Sequence, residues 1–205
     1  SAAFKPALLT HIPGNWATAE LGGKPPTLCK ASPSALKIAL QKLLAERQRL
    51  GLMDWACGLE ATHHGPFIQA TPVLYVEIGS TETEWQNITA AEVVARTIVT
   101  IAQRFQESYP AILGFGGPHY CPAFTQLCSE TQYAVGHVMP KYHLDQISEH
   151  LVQHALEQTS GPLACAALDW KGMTSRNRKQ VIQILEKLGI EVKRVRSLLR
   201  DSAEK

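Results

Sequence analysis

Short apolar runs alternating with stretches of helical period constrain this chain more than any other feature. Residues 73–78, 111–115, 133–139, 163–168 and 190–195 are rich in β-branched, aromatic or small apolar side chains, and Gly, Pro or polar residues bound them. Runs this short read as buried strands, and 55–59 is a further short one. Between them lie candidate helices. Ser32 caps and Pro33 opens the first, with Leu36, Leu40, Leu43, Leu44 and Leu50 on its inner face and Gly51 ending it. Thr89-Ala90-Ala91-Glu92 has the spacing of a capping box and predicts a helix to about Ser108, its apolar side including Val93, Val94, Ile98, Ile101 and Phe105. Others run from about Leu144 to Gln158 and from Thr174 or Ser175 to Leu188, where Gly189 stops the chain. Residues 1–31 are broken by Pro6, Pro13, Gly14, Gly22, Gly23, Pro25 and Pro26 and read as irregular. The alternation predicts one three-layer α/β domain over 1–205, with a mixed, mostly parallel sheet and helices on both faces.

Composition narrows the function classes. With 205 residues, 45% apolar and 19% charged, the chain can fill a sizeable core. No apolar run approaches the roughly 18 residues of a membrane span, and Ser1-Ala2-Ala3-Phe4-Lys5-Pro6 does not open a signal peptide. Cys29, Cys57, Cys121, Cys128 and Cys165 are scattered without a C-x-x-C pair, which favours reduced thiols and a cytoplasmic protein. Cys121, close to His119, is a nucleophile candidate, although a free cysteine is usually a small buried hydrophobe. Net charge is only +2, yet half of the 20 Lys and Arg residues fall within 171–205, the expected basic terminal helix and strand. That asymmetry suits an anionic partner, nucleic acid foremost, and equally a solvated terminal face.

The chemistry concentrates in loops. Glu60-Ala61-Thr62-His63-His64-Gly65-Pro66 offers an acid, a hydroxyl and adjacent imidazoles, groups that bind metal or move protons. Neighbours on an extended backbone point to opposite sides, so His63 and His64 face one ion only if the loop turns. Histidine recurs beside Gly or Pro at His11, His119 and His137. In an open α/β sheet, loops at the carboxyl ends of strands converge on one crevice. Glu77 lies inside an apolar run, where a carboxylate is costly unless paired or bound to metal. Gly116-Gly117 could present amides to a phosphate or an oxyanion, with Pro118 removing one donor. Gly136 within a strand marks close approach of another group. His150 and His154, one helical turn apart without the Glu of H-E-x-x-H, read as surface residues.

Taken in order, Thr10-His11, Gly14-Asn15-Trp16, Pro33-Ser34-Ala35, the Glu60–Pro66 heptapeptide, Glu77-Ile78-Gly79-Ser80, Glu84-Trp85, Gly116-Gly117, His119-Tyr120, Gly136-His137, Pro140-Lys141-Tyr142 and Asp169-Trp170-Lys171-Gly172 make the sequence resemble the archaeal and plant-type D-aminoacyl-tRNA deacylase family. The resemblance implies a fold like that of phosphorylases and peptidyl-tRNA hydrolases, zinc as cofactor, and hydrolysis of the ester joining a D-amino acid to tRNA. It implies a cytoplasmic monomer that takes the aminoacylated end of tRNA. Under it, Glu60, His63, His64, His119 and His137 are the catalytic candidates, Glu60 as general base. His11, His63, His64, Glu77, His119 and His137 are the candidate zinc ligands. Thr10, Asn15, Thr62, Gly116, Gly117, Tyr120, Lys141, Lys171, Arg176, Arg178 and Lys179 are candidates to bind substrate. Spacing alone leaves open a metal-free imidazole site, a zinc hydrolase of a small molecule, and an RNA-binding module without turnover. The family pattern also has a segment before Thr10-His11, a glycine where Pro118 stands and a donor where Pro13 stands.

Overall fold

Local signals place the first helix where the sequence asks for it. Ser32 accepts a hydrogen bond from the Ala35 amide, Pro33 fills the first turn, and the helix closes at Leu50, ahead of Gly51 at φ +75°. The computed structural model describes residues 5–19 and 23–204; Gly22 and Lys205 of the expectations above lie outside them. Its elements in chain order are β1 (Ala7–His11), β2 (Gly14–Asn15), β3 (Thr27–Leu28), α1 (Pro33–Arg49), β4 (Ala56–Leu59), β5 (Tyr75–Gly79), α2 (Glu82–Trp85), α3 (Ile88–Arg104) and β6 (Ala111–Phe115). They continue with α4 (Pro122–Glu130), β7 (Ala134–Met139), α5 (Glu149–Glu157), β8 (Leu163–Leu168), α6 (Ser175–Lys187), β9 (Val192–Arg194) and α7 (Val195–Ala203).

The strands form a parallel group ordered β7-β6-β8-β9 and a mixed group in which β1 pairs with parallel β4 and antiparallel β5; β2 and β3 make a small ribbon. Side chains of β6 alternate between faces as a pleat requires. Ile112 joins Leu36 and Leu40 of α1 and Phe124 of α4 in one core, while Leu113 and Phe115 join Leu151 of α5 and Val181 of α6 in the other. Helices therefore cover both faces. No described helix is long and apolar enough to cross a membrane. The close approach anticipated at Gly136 is real: a Cβ there would lie 3.1 Å from Thr159 Cγ2.

Several elements differ from the sequence reading. Residues 7–11, expected to be irregular, form a fully buried central strand, because Pro6 and Pro13 bracket the run rather than break it. Asn87, not Thr89, caps α3 by accepting from the Ala90 amide at 2.9 Å. The Thr81 amide donates to the Glu84 carboxylate at 2.9 Å, so that reciprocal cap belongs to α2, within the stretch read as a polar loop. Ile98 of α3 and Phe105 at its end cap are exposed, and β5 is only half-buried because it is an edge strand. The helix expected from Leu144 starts at Glu149, after a 3-10 stretch over Lys141–Gln146. The last strand is cut to Val192–Arg194 and followed by α7, whose buried Val195 and Leu198 sit among arginines.

Lys37 ties α1 to the end of α4. Its side chain is buried, and Nζ donates to the carbonyls of Cys128 at 2.5 Å, Thr131 at 2.7 Å and Tyr133 at 3.1 Å. Burial pushes its pKa down, and these acceptors keep the ammonium satisfied. Lys37→Met fills the space but strands the carbonyls, so a loss of roughly 2–4 kcal/mol is expected in urea unfolding. An unchanged midpoint would remove Lys37 from the account of the fold.

Candidate active site

The parallel strands β6, β7 and β8 end at one rim, and the segments leaving them, 116–119, 140–143 and 169–172, lie there together. Segment 60–64, leaving β4, crosses to the same rim. The Ala61 amide donates to the His119 carbonyl at 2.7 Å and the Thr62 amide to the Val138 carbonyl at 3.0 Å. This seam brings His11 of β1 against the β6 and β7 loops. The turn that the paired histidines need is also present. The Gly14 amide holds the carbonyls of His63 and His64, at 3.1 and 2.7 Å, and His64 adopts φ +40°. Pro13 thus costs the loop no donor, because Gly14 supplies it.

The result is a cluster of imidazoles. Ring centroids are 4.2 Å apart for His11 and His63, 4.3 Å for His63 and His64, and 4.4 Å for His63 and His119. Tyr75 stacks on His11 at 5.1 Å. Glu60, 7% exposed, sets one carboxylate oxygen 3.2 Å from His11 Nδ1 and the other 3.2 Å from His119 Nε2. Burial would raise the Glu60 pKa, but hydrogen bonds from His11 and His119 hold it down to about 2. Burial and the neighbouring His11 push His63 down to about 3, so both groups keep fixed charge states through the neutral range.

The hydrogen bonds assign the ring protons. An ionised carboxylate only accepts, so His119 carries its proton on Nε2, and the 3.2 Å approach of Glu60 favours the Nδ1–H form of His11. The Nδ1–H of His63 points at the Ala61 carbonyl, 2.8 Å away, and that of His64 at the Gly65 carbonyl. The Nε2 lone pairs of His11, His63 and His64 are then free of protons, and both ring nitrogens of His11 are buried without a hydrogen-bond partner. These histidines have ligand atoms within 4.8 Å of one another, as do Glu60, His63 and His119, and His11, Glu60 and Glu77. A carboxylate or carbonyl behind each Nδ1–H is the usual support of a metal-binding imidazole. The donor set fits a catalytic zinc, which takes three protein ligands.

A cavity of about 360 Å³ opens onto the cluster, bordered by Asn15, Trp16, Thr62, His63, His64, His119 and Tyr142. Tyr142 Oη lies 3.2 Å from His119 Nδ1. Trp16, Thr18, Tyr142 and His143 border it too, although sequence reasoning gave them no role. The Pro140-Lys141-Tyr142 run was the available signal for Tyr142, and nothing marked Thr18.

Other expected site residues lie elsewhere. His137 is not in the cluster. It is fully buried behind Thr62, with Nδ1 3.2 Å from Thr62 Oγ1, on a strand, β7, that is buried on both faces. Burial pushes its pKa down to about 3. Thr10 Oγ1 is buried and donates to the Tyr75 carbonyl at 2.6 Å. The Gly116 and Gly117 amides are no anion nest. They donate to the carbonyls of Met139 at 2.9 Å and Gly172 at 3.4 Å. A Cβ on Gly116 would stand 2.5 Å from Met173 Cγ, so the glycine serves close packing. Tyr120 touches the His119 ring edge-on but borders a different groove, with Leu44 and Gly58. Lys141 is exposed beside the rim, and Arg176 on α6. Arg178 and Lys179 border a cleft beside Trp170, and Lys171 lies across from it with Arg194. His154 is not a free surface group: its Nε2 accepts from the Leu28 amide at 3.1 Å. Cys121 is buried, its thiol 3.4 Å from the Leu59 carbonyl, and burial raises its pKa well above the usual thiol range, which rules it out as a nucleophile.

An α/β fold with histidines and a carboxylate gathered at the carboxyl rim of its strands defines a hydrolase-type scaffold. The sequence model of D-aminoacyl-tRNA deacylases matches residues 1–193. The deacylase of Thermococcus onnurineus is 40% identical over 187 residues, which are 91% of this chain and 67% of that protein. The deacylase of Methanosarcina acetivorans is 42% identical over 187 residues, covering 91% and 61%. A crystal structure described as a conserved protein of unknown function superposes with a TM-score of 0.87 at 31% identity, over 96% of this chain and 68% of that one. The chain belongs to the D-aminoacyl-tRNA deacylase family.

Proposed function

We propose that this pocket hydrolyses the ester of D-aminoacyl-tRNA, releasing the amino acid and the tRNA. The observation that carries the reading is the convergence of His11, His63, His64 and His119 around one ionised carboxylate, in a chain of this family. A tRNA substrate implies work in the cytoplasm. A single chain is the working unit of this reading.

Each residue has a definite task. His11, His63 and His64 would hold zinc through Nε2. Zinc bound there would supply Lewis acidity, polarising a carbonyl and easing deprotonation of water. Glu60, with a pKa of about 2, is a poor proton acceptor near neutrality. It is a positioning residue that fixes the tautomer of His119 and sets its other oxygen against His11. His119 Nδ1, at the cavity wall beside the Tyr142 hydroxyl, takes the proton from the attacking water. The same imidazole then hands the proton to the departing ribose oxygen, assisted by Tyr142. Trp16 closes the far wall, its indole N–H donating to the Val138 carbonyl at 3.2 Å, so its ring is set to exclude water.

The test is turnover on matched D- and L-aminoacyl-tRNA, with metal content measured on the same preparation. Wild type is expected to release the D-amino acid and to retain stoichiometric zinc after dialysis. His63→Ala is expected to lose both while keeping its circular dichroism. No release from the D-substrate by the metal-loaded wild type would refute the reaction. Zinc retention by His63→Ala would refute the ligand assignment.

A further inference from the structure

Six cations beside the active-site rim lack counter-charges. Lys171, Arg176, Arg178, Lys179, Arg194 and Arg196 make no ion pair among the described residues. Lys187 and Lys193, on the same stretch of chain, pair with Glu149 at 2.5 Å and Glu191 at 3.2 Å. The unpaired set is organised by one aromatic side chain. The guanidinium carbon of Arg194 lies 3.8 Å from the centre of the Trp170 ring and that of Arg178 lies 4.7 Å from it. Trp170 borders two clefts, one shared with Arg178 and Lys179, the other with Lys171, Arg194 and Arg196. The acid nearest in sequence, Asp169, accepts from the Gly172 amide at 3.3 Å.

We infer that the Arg178–Trp170–Arg194 stack is a docking site for the phosphodiester backbone of base-paired RNA, namely the stem that leads to the aminoacylated end; this rests on the tRNA reading above. An indole face holds each guanidinium flat and leaves its N–H edges outward, the arrangement that meets phosphate oxygens in pairs. Like charges gathered this closely repel one another until an anion arrives, so the cluster favours a ligand with repeated negative charge. Arginine already occupies the ring, so Trp170 is no platform for an unpaired base, which is how single strands are held. Double-helical RNA, by contrast, is read through its backbone and shape. The position also suits a stem. The Asp169 amide donates to the Phe115 carbonyl at 3.0 Å and the Gly117 amide to Gly172, so the stack is bolted to the loop that carries His119.

The experiment is binding of a hairpin RNA containing an acceptor stem, by fluorescence anisotropy across a salt series, with a single strand of the same composition alongside. For Arg178→Ala/Arg194→Ala the hairpin Kd is expected to rise at least about tenfold and the salt slope to fall by about 0.9 for each phosphate no longer neutralised. The single strand is expected to lose far less. Arg178→Lys/Arg194→Lys keeps the charge without the flat stack and should fall between. KM for D-aminoacyl-tRNA should rise in parallel. Unchanged hairpin affinity and slope in the double Ala variant would overturn the inference, and so would an equal loss for the single strand. Weakened hairpin binding in a protein that never releases a D-amino acid would uphold this site while the proposed reaction failed.

Discussion

His119→Ala is expected to lower kcat on D-aminoacyl-tRNA by about 10²–10⁴-fold, the usual contribution of a positioned proton-transfer group. The fold should survive. The ring is 34% exposed, and the bond from the Ala61 amide goes to the residue 119 carbonyl, which any side chain keeps. Glu60→Gln provides the contrast. A glutamine oxygen can accept from only one of the two imidazole N–H groups that the carboxylate now serves, so the other must reverse its tautomer. A comparable loss in kcat is therefore expected, with KM for D-aminoacyl-tRNA little changed. A kcat equal to wild type would make Glu60 merely structural. Full activity in His119→Ala would move the proton acceptor elsewhere in the pocket.

The second large effect concerns stability and acid. His137 has a pKa near 3 in the folded chain against 6.5 for an unburdened histidine. Between those values the unfolded chain binds a proton that the folded chain refuses. Stability is therefore full above the higher value and is lost as pH falls toward the lower one. One such group contributes a slope of about 1.4 kcal/mol per pH unit inside that window. His63 titrates in the same window, since burial lowers it to about 3 as well. His137→Asn is expected to flatten the acid side of a stability–pH curve, measured as urea midpoints from about pH 6 to about pH 4. The variant should also be weaker at neutral pH, because the Thr62 hydroxyl keeps the bond from the Val138 amide but loses its contact with the buried imidazole. A curve parallel to wild type would show that His137 takes up its proton without unfolding the chain.

Much of the architecture was legible because it rests on short-range chemistry. The Ser32 cap, the strands at 111–115 and 163–168 and the basic helix stopped by Gly189 follow from residues adjacent to one another. β1 was not legible, since prolines on either side outweigh its five buried residues in any local reading. α7 was hidden by the arginines on its outer face. At the site, the residue types pointed to the right loops, but their directions depend on contacts across the chain. The Gly14 amide, about fifty positions before His63 and His64, holds the turn in which those rings share a side. Thr10 and His137 were drawn in by their position next to the right residues. Burial and local bonds keep them out of the cluster, since Thr10 Oγ1 donates to the Tyr75 carbonyl and His137 lies against the Thr62 hydroxyl. The glycine pair at 116–117 promised open amides, and the 172 and 139 carbonyls, remote in sequence, had already taken them.

The seam at Ala61 and Thr62 makes adhesion between the two strand groups and alignment of the reactive rings a single event. Neither half holds the pocket alone: His11 belongs to one side, His119 to the other, and Glu60 reaches both. Shape here is a cooperative property of an interface, so a substitution that lets the halves part by even a fraction of an ångström would silence the chemistry long before the chain lost its helices.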